Sequence, residues 1–180
     1  MWELKTPKQV KLITAILAAD DKSLKAAVGE VQEQFGKIDL QSDVWNFTQT
    51  DYYKKELGDN ILRQFVTIEK LIDPGGLAQI KHKTNDMEQK LAARTDLQLP
   101  RPVNLDPGII EPSKLILAST KNFSHRIYIG QKMYAEVTLL FDKGIWRSMP
   151  YTFPDYKQSH YHDFFSKVRE KLVEQLKTQC

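Results

Sequence analysis

The chain has 180 residues, 41% hydrophobic and 27% charged, with 26 Lys plus Arg against 23 Asp plus Glu and a formal charge of +3. Such a chain suits one domain with a sizeable core and is neither disordered nor fibrous. The charge is too small to mark a nucleic-acid coat or a membrane-surface protein. The single cysteine, Cys180, excludes an internal disulfide framework and a cysteine-rich zinc site.

Val10 to Ala18 is a nearly continuous apolar run, as in a strand buried on both faces. It follows Lys5 and Lys8, but it is short, Lys11 interrupts it, and a helix start stands directly behind it, so a strand is favoured over a secretion signal. No run approaches the roughly 18 apolar residues of a membrane span, and a cytoplasmic protein with no membrane partner is expected. Asp21 or Ser23 can cap a helix in which Leu24, Ala27, Val28, Val31 and Phe35 fall at helical spacing, with Gly36 as its stop. Val44 to Phe47 reads as a short strand, Asp51 to Leu57 as a turn of helix, and Leu62 to Ile72 as a strand.

Asp73-Pro74 opens a helix running to about Ala93, with Leu77, Ile80, Thr84, Met87 and Leu91 as its buried stripe and Lys81, Lys83 and Lys90 on a solvated face. Thr95 to Val103 is an extended connection. Asp106-Pro107-Gly108 repeats Asp73-Pro74-Gly75 and reads as turn chemistry before a possible helix. Pro112 to Lys121 is ambiguous and is read as helix. His125 to Ile129, Met133 to Phe141 and Ile145 to Met149 read as a three-strand meander with short Gly-containing loops. Ser159 to Thr178 closes the chain as a helix with Tyr161, Phe164, Phe165, Val168, Leu172 and Leu176 along one side. The expected fold is α+β, a single domain over residues 1–180: a mixed sheet with a late antiparallel three-strand meander, and helices packed on it.

Hydrophobic alternation registers the first hairpin, because a one-residue slip moves every side chain to the other face. A three-residue loop Gly130-Gln131-Lys132 pairs Tyr128 with Tyr134, Ile127 with Ala135 and Arg126 with Glu136. Ile127, Ile129, Met133, Ala135, Val137, Leu139 and Phe141 then share a core face, towards which His125 also points. With Asp142-Lys143-Gly144 as the next loop, Ser148 lies opposite Thr138 and Trp146 opposite Leu140. The second face carries Arg126, Tyr128, Tyr134, Glu136 and Thr138. Four cations, Lys114, Lys121, Arg126 and Lys132, fall between Pro112 and Ala135 with no acidic residue. On a helix Lys114 and Lys121 would share a face. Arg and Lys suit phosphate or carboxylate, and neighbouring aromatic rings can stack a base or sugar. Lys114, Lys121, Arg126, Tyr128, Tyr134, Glu136 and Thr138 are therefore the candidate site, for a phosphate-bearing small molecule or RNA.

The stretch DPGIIEPSKLILASTKNFSHRIYIGQKMYAEVTLLF, the PYTFPDY at Pro150 to Tyr156, and the earlier FTQTDYYKKELG and LRQFVTIEKLIDP resemble an uncharacterised family of small prokaryotic proteins, domain of unknown function 4416. The resemblance covers nearly the whole chain. It implies one intact domain and brings no activity, cofactor or ligand with it. Where the family pattern reads PWTYPDY this chain has Tyr151 in place of the indole, and the pair His160 and His162 falls outside the pattern.

Standard nucleotide cradles and the G-x-S-x-G elbow are absent from the sequence. His160 and His162 are two apart and cannot converge on a metal from one helix, so no metal site is expected. Two other functional classes remain open. An enzyme of phosphoester or acyl chemistry would use His125 or Glu136 as general base and Arg126, Lys114 and Lys121 against developing charge, with Asp51 and Asp106 in nearby loops. A protein-interaction module would use Trp146, Tyr151, Phe153, Tyr156 and Tyr161.

Overall fold

The computed structural model describes residues 2–178, so Cys180 lies outside the described residues. In chain order the elements are β1 (Lys11–Ala18), α1 (Asp21–Phe35), β2 (Ile38–Gln41), β3 (Trp45–Asn46), α2 (Lys54–Leu57), β4 (Leu62–Ile68), α3 (Leu77–Arg94), β5 (Val103–Glu111), β6 (Lys114–Ser119), β7 (Ile127–Gly130), β8 (Met133–Asp142), β9 (Ile145–Ser148) and α4 (Ser159–Lys177). The strands form one sheet in the order β2-β4-β1-β5-β6-β8-β7, with β3 paired to β4 and β9 to β8. The α+β class stands. The pairings of the described strands are antiparallel throughout, in place of the expected mixed sheet.

β1 lies between β4 and β5, and all its residues are buried, as its unbroken apolar run requires. Leu12, Ile16 and Ala18 pack with Leu24, Ala27 and Val31 of α1 and Met87 and Leu91 of α3. Ile13 and Ala15 face the other way, into the cluster filled by Tyr161, Phe164, Phe165, Val168 and Leu172 of α4. Three helices thus cover two faces, α1 and α3 against one and α4 against the other. The cap of α1 is Asp20, whose carboxylate accepts from Ser23 N at 2.7 Å, one residue before the expected position.

Lys11 is fully buried. Its ammonium pairs with Asp39 and donates to Gln175 Oε1 at 2.7 Å, while Thr67 Oγ1 donates to Asp39 at 2.6 Å and Lys171 stands 3.4 Å from the same carboxylate. The charge that interrupts the apolar run is therefore enclosed in a network from four elements.

The middle of the chain departs from the sequence reading. Asp106-Pro107-Gly108 lies inside β5, and Pro112 to Lys121 is a hairpin turn followed by β6. Lys114 and Lys121 therefore share no helix face. The first hairpin keeps the expected register, Ile127 opposite Ala135 and Tyr128 opposite Tyr134. A bulge then brings Gly130 opposite Met133, leaving Gln131 and Lys132, both at positive φ, as a two-residue turn. The second hairpin is shifted by one from expectation: Trp146 lies opposite Phe141 and Ser148 opposite Leu139, around a Lys143-Gly144 turn at positive φ. Trp146 thereby enters the core under α4.

Nor is the meander a simple one. β6 occupies one edge of β8, and β7 and β9 share the other. A bulge on β8 at Thr138, where Leu115 pairs with Leu139 but Ile116 with Val137, reverses the alternation along the strand. Ala135 consequently packs towards α3 and Leu139 towards α4, so the expected single core face of β8 is split between both layers.

Candidate functional site at the parting of two strands

β5 and β6 pair only from Glu111 opposite Lys114 to Gly108 opposite Leu117. Beyond that β5 stays with β1 as far as Val103, β6 stays with β8 as far as Ser119, and the two strands part. The sequence around Gly108 explains the geometry. A Cβ on Gly108 would lie 2.5 Å from Ile116 O and 2.7 Å from Leu117 Cδ2, so glycine is what lets β6 close there. One residue earlier Pro107 has no N–H to offer, and its strand has no neighbour on that side.

The abandoned edge of β5 is served by α3. Leu105 N donates to Glu88 Oε1 at 2.7 Å, and Lys81 Nζ donates to Leu105 O at 2.8 Å. Residues seven apart lie on one helix face, so these two side chains take the place of a neighbouring strand. Lys81 is 3% exposed, which corrects its assignment to a solvated face.

A cavity of about 500 Å³ opens in the parting. One wall carries Asn104 and Asp106 of β5, Arg63 of β4 and Lys81 of α3. The opposite wall carries residues 117–121, Arg126 and Glu136, and the rim carries Tyr52, Tyr53 and Phe153. Lys81 Nζ stands 3.2 Å from Asp106 Oδ1, and Asn104 Nδ2 donates to Asp106 Oδ2 at 2.6 Å. Burial pushes the Asp106 carboxyl upward, but Lys81, Asn104 and Arg63 together outweigh it and hold it below the usual range. Arg101 donates through Nε and Nη2 to Glu88, at 2.8 and 2.6 Å. Burial still raises Glu88, with Lys81 and Arg101 opposing.

Arg63 pairs with Asp155 at 2.8 Å and lies over the rings of Phe47, Phe65 and Tyr156, the nearest centroid at 5.1 Å. Burial would lower its pKa, but Asp155, Tyr156, Tyr161 and Asp106 together outweigh that, so the guanidinium stays charged. Its Nε and Nη1 and the Tyr156 hydroxyl are buried without a hydrogen-bond partner among the described residues. Burial also raises the Tyr53 and Tyr156 phenols, which remain protonated.

Three of the seven candidate residues line this cavity: Lys121, Arg126 and Glu136. Arg126 Nε donates to Glu136 at 2.8 Å and its Nη1 to Ser119 Oγ and Lys121 O, both at 2.9 Å. His125 Nε2 lies 3.1 Å from the same Glu136 oxygen, and the imidazole stacks on Tyr151 at 4.0 Å. His125 precedes β7 and so escapes its alternation, which corrects its placement on the apolar face. Lys121 donates to Tyr52 Oη at 2.7 Å. The other four stand apart. Lys114 pairs with Glu111 beside the hairpin turn, Tyr128 and Tyr134 pack on each other at 5.5 Å, and Thr138 is fully buried at the bulge.

Sequence reasoning missed Arg63, Lys81, Asn104 and Asp155, and placed Asp106 only in a loop. The one signal available was a charged residue inside an otherwise apolar strand, as at Arg63. His160 packs on Trp45 at 4.8 Å, whereas His162 Nε2 meets Tyr156 O at 2.8 Å, so the two imidazoles are engaged separately. Of the aromatic set considered for a partner surface, Trp146, Tyr156 and Tyr161 are core residues.

Residues 8–172 match the family described as Domain of unknown function (DUF4416). The chain belongs to that family. No curated protein and no solved structure matches it. Among the described residues no helix is long and apolar enough to cross a membrane.

Proposed function

We propose that this member of the family binds a small phosphate-bearing ligand, in the cytoplasm, and that the ligand sits in the parting between β5 and β6 rather than on an open sheet face. One observation carries the reading: Arg63 of β4, Lys81 of α3, and Lys121 and Arg126 of the connection between β6 and β7 line a single cavity of about 500 Å³. That is within the roughly 300–1,000 Å³ usual for small-molecule sites, and convergent polar groups in a concave, partly aromatic setting are the usual mark of one. Carboxylates hold three of these cations in place, which fixes donors for a ligand before it arrives. A thermal-shift screen with nucleotides, sugar phosphates and short RNA tests the reading. A rise in melting temperature with a phosphate compound, lost in Arg126→Ala and kept in Lys90→Ala, supports it. Equal loss in both variants indicates nonspecific charge attraction.

An enzyme using the same cavity is the second reading, favoured by the 3.1 Å contact of His125 with Glu136 on its wall. A carboxylate beside an imidazole can orient it as a general acid or base. Hydrolysis of a phosphoester or acyl ester that fails in His125→Gln, while binding persists, would select this reading over simple binding.

A further inference from the structure

We infer that the ligand is a monophosphate joined to a flat, uncharged ring, as in a nucleoside monophosphate, and not a di- or triphosphate. The inference rests on the binding reading above and adds the class of ligand to it.

The charges lining the cavity set the ligand's charge. Five cations face four carboxylates among the lining residues, an excess of one. A buried charge that is not matched is strongly disfavoured, so a site this nearly neutral rejects a polyanion. The small excess also has a definite place. Arg63, Lys81, Arg101 and Arg126 each have a carboxylate partner. Lys121 is the one lining cation with no ion pair among the described residues, and its partner is the neutral Tyr52 hydroxyl at 2.7 Å. One phosphate therefore belongs at Lys121, near the rim.

The rest of the ligand faces different chemistry. Phe153 is 40% exposed and lines the same cavity, so an aromatic side chain is open to solvent there. Asn85, Asn104 and Asp106 also line the cavity, and among them they carry amide donors and amide and carboxylate acceptors. An aromatic face beside mixed hydrogen-bonding groups matches a heterocycle with its own donors and acceptors, and a sugar alone would leave the ring face unused.

Calorimetric titration of the full chain separates these parts, using AMP and UMP, their triphosphates, their nucleosides, and ribose 5-phosphate. One monophosphate should bind most tightly. Its nucleoside, its triphosphate and ribose 5-phosphate should each be weaker by about tenfold or more. Phe153→Leu, which keeps apolar bulk and removes the ring, should abolish the advantage over ribose 5-phosphate and leave ribose 5-phosphate itself unchanged. Lys121→Ala should abolish the advantage over the nucleoside. Ribose 5-phosphate binding as well as the monophosphate, or a triphosphate binding better, overturns the inference and leaves the binding reading intact. Failure of every phosphate compound to bind overturns both.

Discussion

Two buried charge clusters border this sheet, and they use the same residue types to opposite ends. Around Lys11 the carboxylate of Asp39, the hydroxyl of Thr67 and the amide of Gln175 close on the ammonium. Around Lys81 and Arg63 the partners are again carboxylates and an amide, but they border a cavity of about 500 Å³, and two guanidinium nitrogens and a phenol lack partners among the described residues. The first cluster completes its own hydrogen bonding and can only hold the fold. The second leaves donors beside open space, an arrangement that costs stability and is retained where a ligand uses it.

Isosteric substitution separates them most sharply. Asp39→Asn strands a fully buried ammonium and should cost about 3–5 kcal/mol in denaturant melts, with no change in the ligand affinity of the folded fraction. Next in size, Gly108→Ala puts a methyl group against Ile116 O and should cost about 1–3 kcal/mol, moving β6 and weakening any ligand in the cleft. Asp106→Asn should cost less than Asp39→Asn, about 1–2 kcal/mol, because Lys81 keeps Leu105 O and the cavity admits water. Equal costs for the two Asp→Asn changes would erase the distinction between closed and open clusters.

Acid offers a second comparison. Burial acts upward on both Asp39 and Asp106 but is outweighed, by the hydrogen bonds of Lys11 and Thr67 in one and by Lys81 and Asn104 in the other, so both carboxyls lie below 3.8. A depressed carboxyl contributes stability that is fully present above its unfolded value and is lost as the pH falls through the folded one. Stability should therefore drop below pH 3.8, and each Asp→Asn variant should flatten that drop. Glu88 runs the other way: burial raises it, so its protonation on acidification relieves a buried charge and returns some stability. The smallest effect belongs to Tyr156→Phe. Removing a buried hydroxyl with no partner among the described residues should leave melts unchanged or raise stability by up to about 1 kcal/mol, while weakening a ligand that bonds it.

Much of the frame was legible because its causes are local. The unbroken apolar run of β1, the stripe of α4 and the alternation that pairs Tyr128 with Tyr134 each follow from spacing alone. The Arg126–Glu136 pair came from that same register. The cleft was not legible, because its causes are long-range. Asp106-Pro107-Gly108 has turn composition, and only a strand with one deserted edge can hold proline there while the next residue needs to be glycine for β6 to approach. Lys81 follows the spacing of a solvated face, yet it is buried by a strand that lies 24 residues downstream. The bulge at Thr138 has no sequence mark and redirects every residue beyond it.

The central position of β1 has a cost during synthesis. Ile13 pairs with Thr67 on one side and Gly108 on the other, so this apolar strand is made first and waits for neighbours that lie about 50 and 95 residues downstream. At roughly 5–20 residues per second, β1 leaves the ribosome on the order of 5–20 s before β5. The hairpins among β6, β7, β8 and β9 close within a few dozen residues and can form as soon as they emerge, whereas β1 must wait for loop closures of high sequence separation. In that interval it is an exposed hydrophobic template with both edges open, the kind of segment that chaperones hold and that aggregates when they do not.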